Sequence, residues 1–254
     1  MRRMLLLSLT TMVVALLLAG GVALAANIQC QGGLCVGTEQ NDRITGSQEI
    51  DVIQALGGRD DVTARGVDDF VDGSRGRDDI SGGVGGDGLE GGGGPDDIDG
   101  GPGTTDASEP PNTFECRLID PDAGIDVTLQ GTQFLLGEVG NDVLEGGRDT
   151  ELLQGDAGGN DLSGKGGDDC LLLTGDENER ASGGDGDDLI GNPDGNKDDV
   201  FCGTGHDTVV ADVEDRVAAN CEDVLRVSTL QATGATLGVE VTITTPQGTI
   251  TMTP

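Results

Sequence analysis

Large aliphatic residues recur every nine positions between residues 37 and 99, and an aspartate lies two positions before each of them. Seven consecutive nine-residue words keep both positions without exception. The best-kept words, 82–90 and 91–99, fit the template G-G-x-G-x-D-x-U-x, where U is a large aliphatic residue. The position-eight aliphatics are Ile44, Ile53, Val62, Val71, Ile80, Leu89 and Ile98, and the position-six aspartates are Asp42, Asp51, Asp60, Asp69, Asp78, Asp87 and Asp96.

Each word predicts a glycine-rich turn followed by a very short strand. Side chains alternate between the faces of a strand, so the aliphatic residue of x-U-x points one way and its neighbours the other. Glycine tolerates positive φ angles and close approach of the backbone, which suits the six residues before the strand. Stacked words would bury one aliphatic residue each, and the register therefore predicts an all-β parallel solenoid with a thin core.

Composition agrees with a thin-cored solenoid. The 254-residue chain contains 46 glycines and four phenylalanines but no tryptophan or tyrosine, so it has little aromatic volume for a globular core. A chain this rich in glycine and aspartate would ordinarily be disordered, but the unbroken register favours an ordered repeat. The net charge of −33 argues against nucleic acid, which needs a basic surface, and favours a cation as partner.

The register breaks over residues 100–136, which we interpret as an insertion or linker, and returns in a looser second array over 137–210. Its fifth word, 173–181, has Arg180 at position eight. A two-residue insertion near Asn192-Pro193 then shifts the phase of the repeat. The more drifted second array is expected to bind fewer or weaker ions. Its position-six residues are Asp142, Glu151, Asn160, Asp169, Asp187, Asp198 and Asp207, and its position-eight aliphatics are Leu144, Leu153, Leu162, Leu171, Leu189, Val200 and Val209.

Residues 1–25 are predicted to be a secretory signal. Arg2 and Arg3 precede an apolar run, and Ala23-Leu24-Ala25 supplies a small-x-small cleavage site before Ala26. The alternative is an uncleaved membrane anchor, because the run approaches spanning length. The cleavage site favours removal, which would leave an extracellular protein without a membrane segment.

Six cysteines in an exported chain predict disulfides. Cys30 and Cys35 would close an N-terminal clip over residues 26–36. Cys202 and Cys221 would seal the last turn, which leaves Cys116 and Cys170 as a pair by elimination only. Over 211–254 we predict a capping segment with a β-hairpin, because Val239, Val241 and Ile243 alternate with polar residues.

Stacked turns would place aspartates about 5 Å apart, where each pair repels by about 3 kcal/mol at an effective dielectric of 20. A divalent cation between the two carboxylates reverses the sign of this interaction. Calcium takes six to eight oxygen ligands from carboxylates and carbonyls, which glycine-rich turns can supply. Calcium binding is therefore expected to be coupled to folding.

The words resemble the hemolysin-type calcium-binding (RTX) nonapeptide repeats, over about two thirds of the chain. The resemblance implies a right-handed parallel β-roll with two words per turn and calcium between successive loops. It also implies that aspartates two words apart share an ion, as Asp78 with Asp96 or Asp69 with Asp87. Words without the fourth-position glycine are expected to be weaker sites. The ligands implied are Asp42, Asp51, Asp60, Asp69, Asp78, Asp87, Asp96, Asp142, Asp169, Asp187 and Asp207.

Three functions follow from these patterns. The first is an exported calcium-binding β-roll protein without catalysis. The second is a surface adhesin or matrix component that binds a cell-surface or matrix polymer, with calcium purely structural. An enzyme is disfavoured because His206 is the only histidine, and paired carboxylates are too common here to indicate acid–base chemistry.

Overall fold

The computed structural model describes residues 25–102, 113–120, 125–131, 133–192, 194–226, 240–245 and 248–252. Within these ranges the chain is all-β, without a helix, and its parallel strands stack into a β-solenoid of about 9 turns. The predicted signal lies almost entirely outside the described residues. No helix in the described ranges is long and apolar enough to cross a membrane.

Two parallel sheets form the walls of the solenoid. Sheet A contains β1 (Asn27–Gln29), β3 (Arg43–Thr45), β5 (Asp61–Gly66), β8 (Asp79–Val84), β10 (Asp97–Asp99), β14 (Val143–Glu145), β16 (Asp161–Gly166), β18 (Arg180–Asp185), β20 (Asp199–Thr204) and β22 (Arg216–Val217). Sheet B contains β2 (Gly33–Thr38), β4 (Asp51–Gly58), β6 (Phe70–Asp72), β9 (Gly88–Gly93), β13 (Gln133–Val139), β15 (Glu151–Gln154), β17 (Cys170–Leu172), β19 (Leu189–Asn192), β21 (Thr208–Ala211) and β23 (Asp223–Arg226), and β7 (Arg75–Gly76) pairs with β4 and β9.

Each turn of the solenoid takes two words, one strand in each sheet. In sheet A, Ile44 pairs with Val62 and Val62 with Ile80, so residues 18 apart in sequence are neighbours in space. All seven position-eight aliphatics of the first array are at most 1% exposed, as are Leu144, Leu153, Leu162 and Leu171 of the second. The predicted core is confirmed: one aliphatic residue per half turn lies between the two sheets.

The turns stack so closely that some positions exclude any side chain. An ideal Cβ on Gly94 would lie 1.5 Å from the carbonyl oxygen of Gly76 in the preceding turn, and Gly94 has a φ of +133°. Both the clash and the positive φ explain the fourth glycine of the template.

The solenoid continues across the insertion. Ile98 pairs with Leu144 in sheet A, and Leu89 pairs with Leu135 in sheet B. Ile98 and Leu135 are 37 positions apart where the repeat needs nine, so 28 extra residues leave the solenoid and return in register. The predicted boundary at residue 136 was wrong: β13 belongs to the solenoid, and its core residue is Leu135.

The insertion and the C-terminal segment form one antiparallel sheet. Sheet C has the order β12 (Ile125–Gly131), β11 (Thr113–Asp120), β24 (Glu240–Thr245) and β25 (Gly248–Met252). The predicted C-terminal hairpin is confirmed as β24 and β25, with its turn residues 246–247 outside the described ranges. Its paired neighbour is β11 of the insertion, while the solenoid itself runs on past residue 210 to β22 and β23.

Two predicted disulfides are present, Cys30–Cys35 and Cys202–Cys221. Cys170 is also disulfide-bonded. Its pairing with Cys116 stays a prediction, because the side chain of Cys116 lies outside the described residues.

Candidate metal centres

The position-six side chains form two rows, because each lies at or just before the start of a strand and the strands pair in register. Nearly every member of both rows is buried; Glu222 is exposed. We call the row beside sheet A ladder A and the row beside sheet B ladder B. Ladder A consists of Asp42, Asp60, Asp78, Asp96, Asp142, Asn160, Glu179, Asp198 and Asp215, and ladder B of Asp51, Asp69, Asp87, Gln133, Glu151, Asp169, Asp188, Asp207 and Glu222.

In most rungs one side-chain oxygen is held by the main chain of the preceding turn. The backbone N–H of Asp78 donates to Oδ1 of Asp96 at 2.8 Å, and that of Asp69 donates to Oδ1 of Asp87 at 2.8 Å. The same bond crosses the insertion, from the N–H of Asp96 to Oδ1 of Asp142 at 2.7 Å. The structure therefore brings the predicted aspartate pairs into adjacent turns.

The second carboxylate oxygen of most rungs is buried and accepts no hydrogen bond. Leaving a buried polar atom unsatisfied costs roughly 1–3 kcal/mol, and more when the group is charged. A whole row of such atoms would be stabilised by bound protons or by a positively charged partner. The rungs with this feature, here called open rungs, are Asp60, Asp69, Asp78, Asp87, Asp96, Asp142, Glu151, Asp169, Asp188 and Asp207.

A main-chain carbonyl of the following turn faces the same space as the unsatisfied oxygen. An ideal Cβ on Gly82 would lie 2.5 Å from Oδ2 of Asp87 and 2.9 Å from the carbonyl oxygen of Gly100. The corresponding pair of oxygens lies 2.6 and 2.8 Å from the equivalent point on Gly137. The first glycine of a word thus leaves a small cradle lined by one carboxylate oxygen and one carbonyl oxygen.

Burial raises the pKa of the open rungs, with repulsion from neighbouring aspartates adding to it. The pKa of Asp87 rises from 3.8 to about 8, and that of Asp78 to about 7. The pKa values of Asp69, Asp96 and Asp188 also rise to about 7, with desolvation the largest cause in each. Without a cation, protons are therefore held on these carboxylates well above their usual range.

Calcium fits this donor set. In the described part of the chain, no three carboxylate, thiol or imidazole side chains converge on one point. A cation between two turns would therefore be held by one or two rung carboxylates together with main-chain carbonyls. Such an all-oxygen set suits a hard cation such as Ca²⁺ and offers no nitrogen or sulfur to softer metals.

The first rung of each ladder is closed by protein donors instead. Oδ2 of Asp42 accepts from the backbone N–H of Thr38 at 2.6 Å, and Oδ2 of Asp51 accepts from that of Ser47 at 2.6 Å. Both words lack the fourth-position glycine. Neither carboxylate has an unsatisfied oxygen, so these two predicted ligands lack the feature that marks the open rungs.

An amide closes ladder A in the second array. Nδ2 of Asn160 donates to Oε1 of Glu179 at 2.7 Å, and the backbone N–H of Gly175 donates to Oε2 at 2.9 Å. This rung is satisfied without a cation. Gln133 interrupts ladder B differently, because its buried side-chain oxygen and nitrogen both lack hydrogen-bond partners.

The register assigned to Asp187 was wrong by one residue. Asp187 is exposed, whereas Asp188 is 2% exposed and accepts the backbone N–H of Asp169 at 2.9 Å. The aliphatic residue beside the core is accordingly Ile190, since Leu171 pairs with it. Sequence reasoning also missed the rungs Gln133, Glu179, Asp215 and Glu222.

A scan against protein-family models and a search of curated proteins both returned no match to this chain.

Proposed function

We propose that this chain is an exported calcium-binding β-roll protein without catalysis, in which calcium ions between stacked turns are coupled to folding. The observation that carries the proposal is the row of buried carboxylate oxygens that accept no hydrogen bond. Several open rungs, such as Asp87 and Asp142, lie beside a glycine whose Cβ position is also close to a main-chain carbonyl oxygen of another turn. The resemblance to RTX repeats supports the same conclusion.

Electrostatics explains why binding and folding would be coupled. Neighbouring strands lie about 4.8 Å apart, so ionised rungs in adjacent turns repel by about 3 kcal/mol per pair at an effective dielectric of 20. Calcium between two rungs replaces this repulsion with attraction and satisfies the unpaired oxygens. Because the unfolded chain does not hold the rungs together, the binding free energy becomes folding free energy.

Two independent features of the chain support export. The N-terminal 25 residues have the pattern of a secretory signal. Disulfides persist outside the reducing cytosol, and two pairs are formed here. Outside the cell calcium is abundant, so a chain synthesised in low calcium would fold after export.

The test is a calcium titration of residues 26–254 monitored by far-UV circular dichroism and isothermal calorimetry at pH 7.5. We expect β-signal to increase with calcium and to be lost on chelation. Magnesium at the same concentration is the control, because it needs near-ideal octahedral geometry and loses water reluctantly. Absence of both heat and structural change up to about 10 mM calcium, above the weak extracellular range, would contradict the proposal.

The alternative is a calcium-stabilised adhesin or matrix component. The observation that favours this alternative is sheet C. The insertion and the C-terminal hairpin both lie outside the repeat, and sheet C joins them into one surface. Because β11 pairs with β24, deletion of either segment should abolish polymer or cell binding while calcium-dependent folding remains. Binding that survives both deletions would exclude this surface.

A further inference from the structure

The first rung of ladder A, Asp42, follows a half turn whose rung position is Ala26, a residue without a side-chain carboxylate. In later turns Oδ1 of a rung accepts the backbone N–H of the rung one turn before, as in Asp60 to Asp78. Oδ1 of Asp42 accepts the same bond from the backbone nitrogen of Ala26 at 2.6 Å, because Asn27 pairs with Arg43 and Ala26 therefore lies at the rung position one turn earlier. Asp42 is 3% exposed and has no basic side chain paired with it in the described ranges.

Ala26 also bonds to the next turn through its carbonyl group. Its carbonyl oxygen accepts the backbone N–H of Arg43 at 2.8 Å, and β1 starts at the next residue. Ala25, by contrast, is exposed. The sequence independently places signal cleavage between Ala25 and Ala26, from the small residues at positions 23 and 25. The predicted cleavage would therefore place the new terminus at the nitrogen atom that donates to Asp42.

We propose that cleavage of the Ala25–Ala26 bond is a maturation step that completes ladder A, with the new α-ammonium group of Ala26 paired to the Asp42 carboxylate. Hydrolysis breaks the peptide C–N bond with one water molecule. The hydroxyl joins the carbonyl carbon of Ala25, which leaves as a carboxylate, and the nitrogen of Ala26 leaves as –NH₃⁺. The cationic terminus replaces a neutral amide at the same atom.

This change in charge matters because Asp42 is buried. Before cleavage, Ala26 offers one N–H from a neutral amide. Afterwards it offers three N–H donors and a full positive charge at hydrogen-bond distance, and hydrogen bonds to charged groups contribute more than neutral ones. The first rung would then carry its own cation, in addition to the Thr38 donors that already satisfy Oδ2 of Asp42.

The test compares two purified forms of the mature protein, one beginning at Ala26 and one at Ala25. Both present alanine first, but the longer form moves the ammonium one residue away and restores the neutral amide. We expect the form that begins at Ala26 to have a folding equilibrium constant about tenfold larger, measured by chemical denaturation. Asp42→Asn in both forms should remove this difference.

Acetylation of the Ala26 terminus supplies a second comparison that does not require a substitution in the ladder. It keeps one N–H donor and removes the charge, so the acetylated protein should match the form that begins at Ala25. Equal stability of the Ala25 and Ala26 forms, or a difference that persists in Asp42→Asn, overturns the proposal. An exported protein whose first residue by mass spectrometry is not Ala26 overturns it as well.

The comparison is independent of calcium binding by the open rungs. It is made in saturating calcium and again in chelator at pH 6, where the α-amine is protonated in both forms. The tenfold ratio should appear under both conditions even if calcium binds nowhere in this protein.

Discussion

Asp78→Asn is expected to have opposite effects on the stability of this protein with and without calcium. Asp78 is 1% exposed, its Oδ1 accepts the N–H of Asp60, and its Oδ2 is unsatisfied. Asparagine keeps an acceptor for Asp60 and replaces the unsatisfied oxygen with a neutral amide. Asn160 already occupies an equivalent rung in the native chain, so the fold accommodates this side chain.

The magnitude follows from the pKa of Asp78, which burial raises from 3.8 to about 7. A raised folded-state pKa contributes stability that is complete below about pH 4 and is lost as the pH rises through 7. At 1.36 kcal/mol per pKa unit, ionisation of Asp78 alone costs the calcium-free fold about 4 kcal/mol. A small domain is stable by about 5–15 kcal/mol, so a few such rungs suffice to unfold it.

The assay is far-UV circular dichroism in chelator from pH 4 to pH 9. The parent protein should lose β-signal as the pH rises, and Asp78→Asn should shift the midpoint to higher pH. In calcium at pH 7.5 the same variant should require more calcium to fold, because it supplies one charge fewer. Asp79→Asn is the matched control: this adjacent carboxylate is exposed, where charge interactions contribute about 1 kcal/mol or less.

Two results would refute the reasoning. One is a parent protein that keeps its full β-signal at pH 9 in chelator. The other is an Asp79→Asn variant that shifts the midpoint as far as Asp78→Asn does, because the effect would then arise from net charge and not from the ladder.

Further predictions concern the register, the turns and the crosslinks. Asp188→Ala should weaken calcium binding in titration calorimetry, whereas Asp187→Ala, one residue away and exposed, should leave the number of bound ions unchanged. Gly94→Ala should lower the free energy of unfolding in calcium by at least about 2 kcal/mol, while Gly93→Ala, whose Cβ would meet nothing closer than 3.8 Å, should change it little. Cys202→Ala should cost about 3 kcal/mol in denaturant titration, because it opens a disulfide with a sequence separation of 19; an unchanged midpoint would contradict this.

The first array was predictable residue by residue because its turns contain no insertions. All seven position-eight aliphatics lie in the core, and counting by nine identified every rung from Asp42 to Asp96. In the second array, counting by nine residues did not identify every rung, because two half turns, 172–181 and 191–200, each contain one extra residue. The extra residues lie in the turns, where they disturb no core contact, and the strands on either side still pair in register.

The first of these one-residue shifts in register was hard to detect in the sequence because a small residue occupies the core position. Ala181 fills the core position in sheet A, so the word around it carries no large aliphatic signal. The word beginning at Gly183 nevertheless fits the template with Asp188 and Ile190. A template match that allowed one-residue gaps would have found this register.

The word that contains Gln133 carried no comparable signal. It has neither the first-position glycine nor the aspartate, and only Gly131 and Leu135 match the template, at positions four and eight. Its membership follows from the pairing of β13 with β15, one turn later, and with β9, which lies on the other side of the insertion. The union of the insertion with the C-terminal hairpin depends likewise on pairing between strands more than a hundred residues apart.

The direction of the ladder bonds limits how a chain of this kind can change length. In most turns the N–H of a rung is donated to a side-chain oxygen of the rung one turn later, so such a turn contributes one donor and one acceptor. Duplication or loss of 18 residues keeps that balance and leaves every remaining strand in its own sheet. A change of nine would move all later strands to the opposite wall. Repeats of this protein should therefore be gained and lost in pairs, whereas an excursion of any length, such as the one after Ile98, is tolerated if it returns within the same half turn.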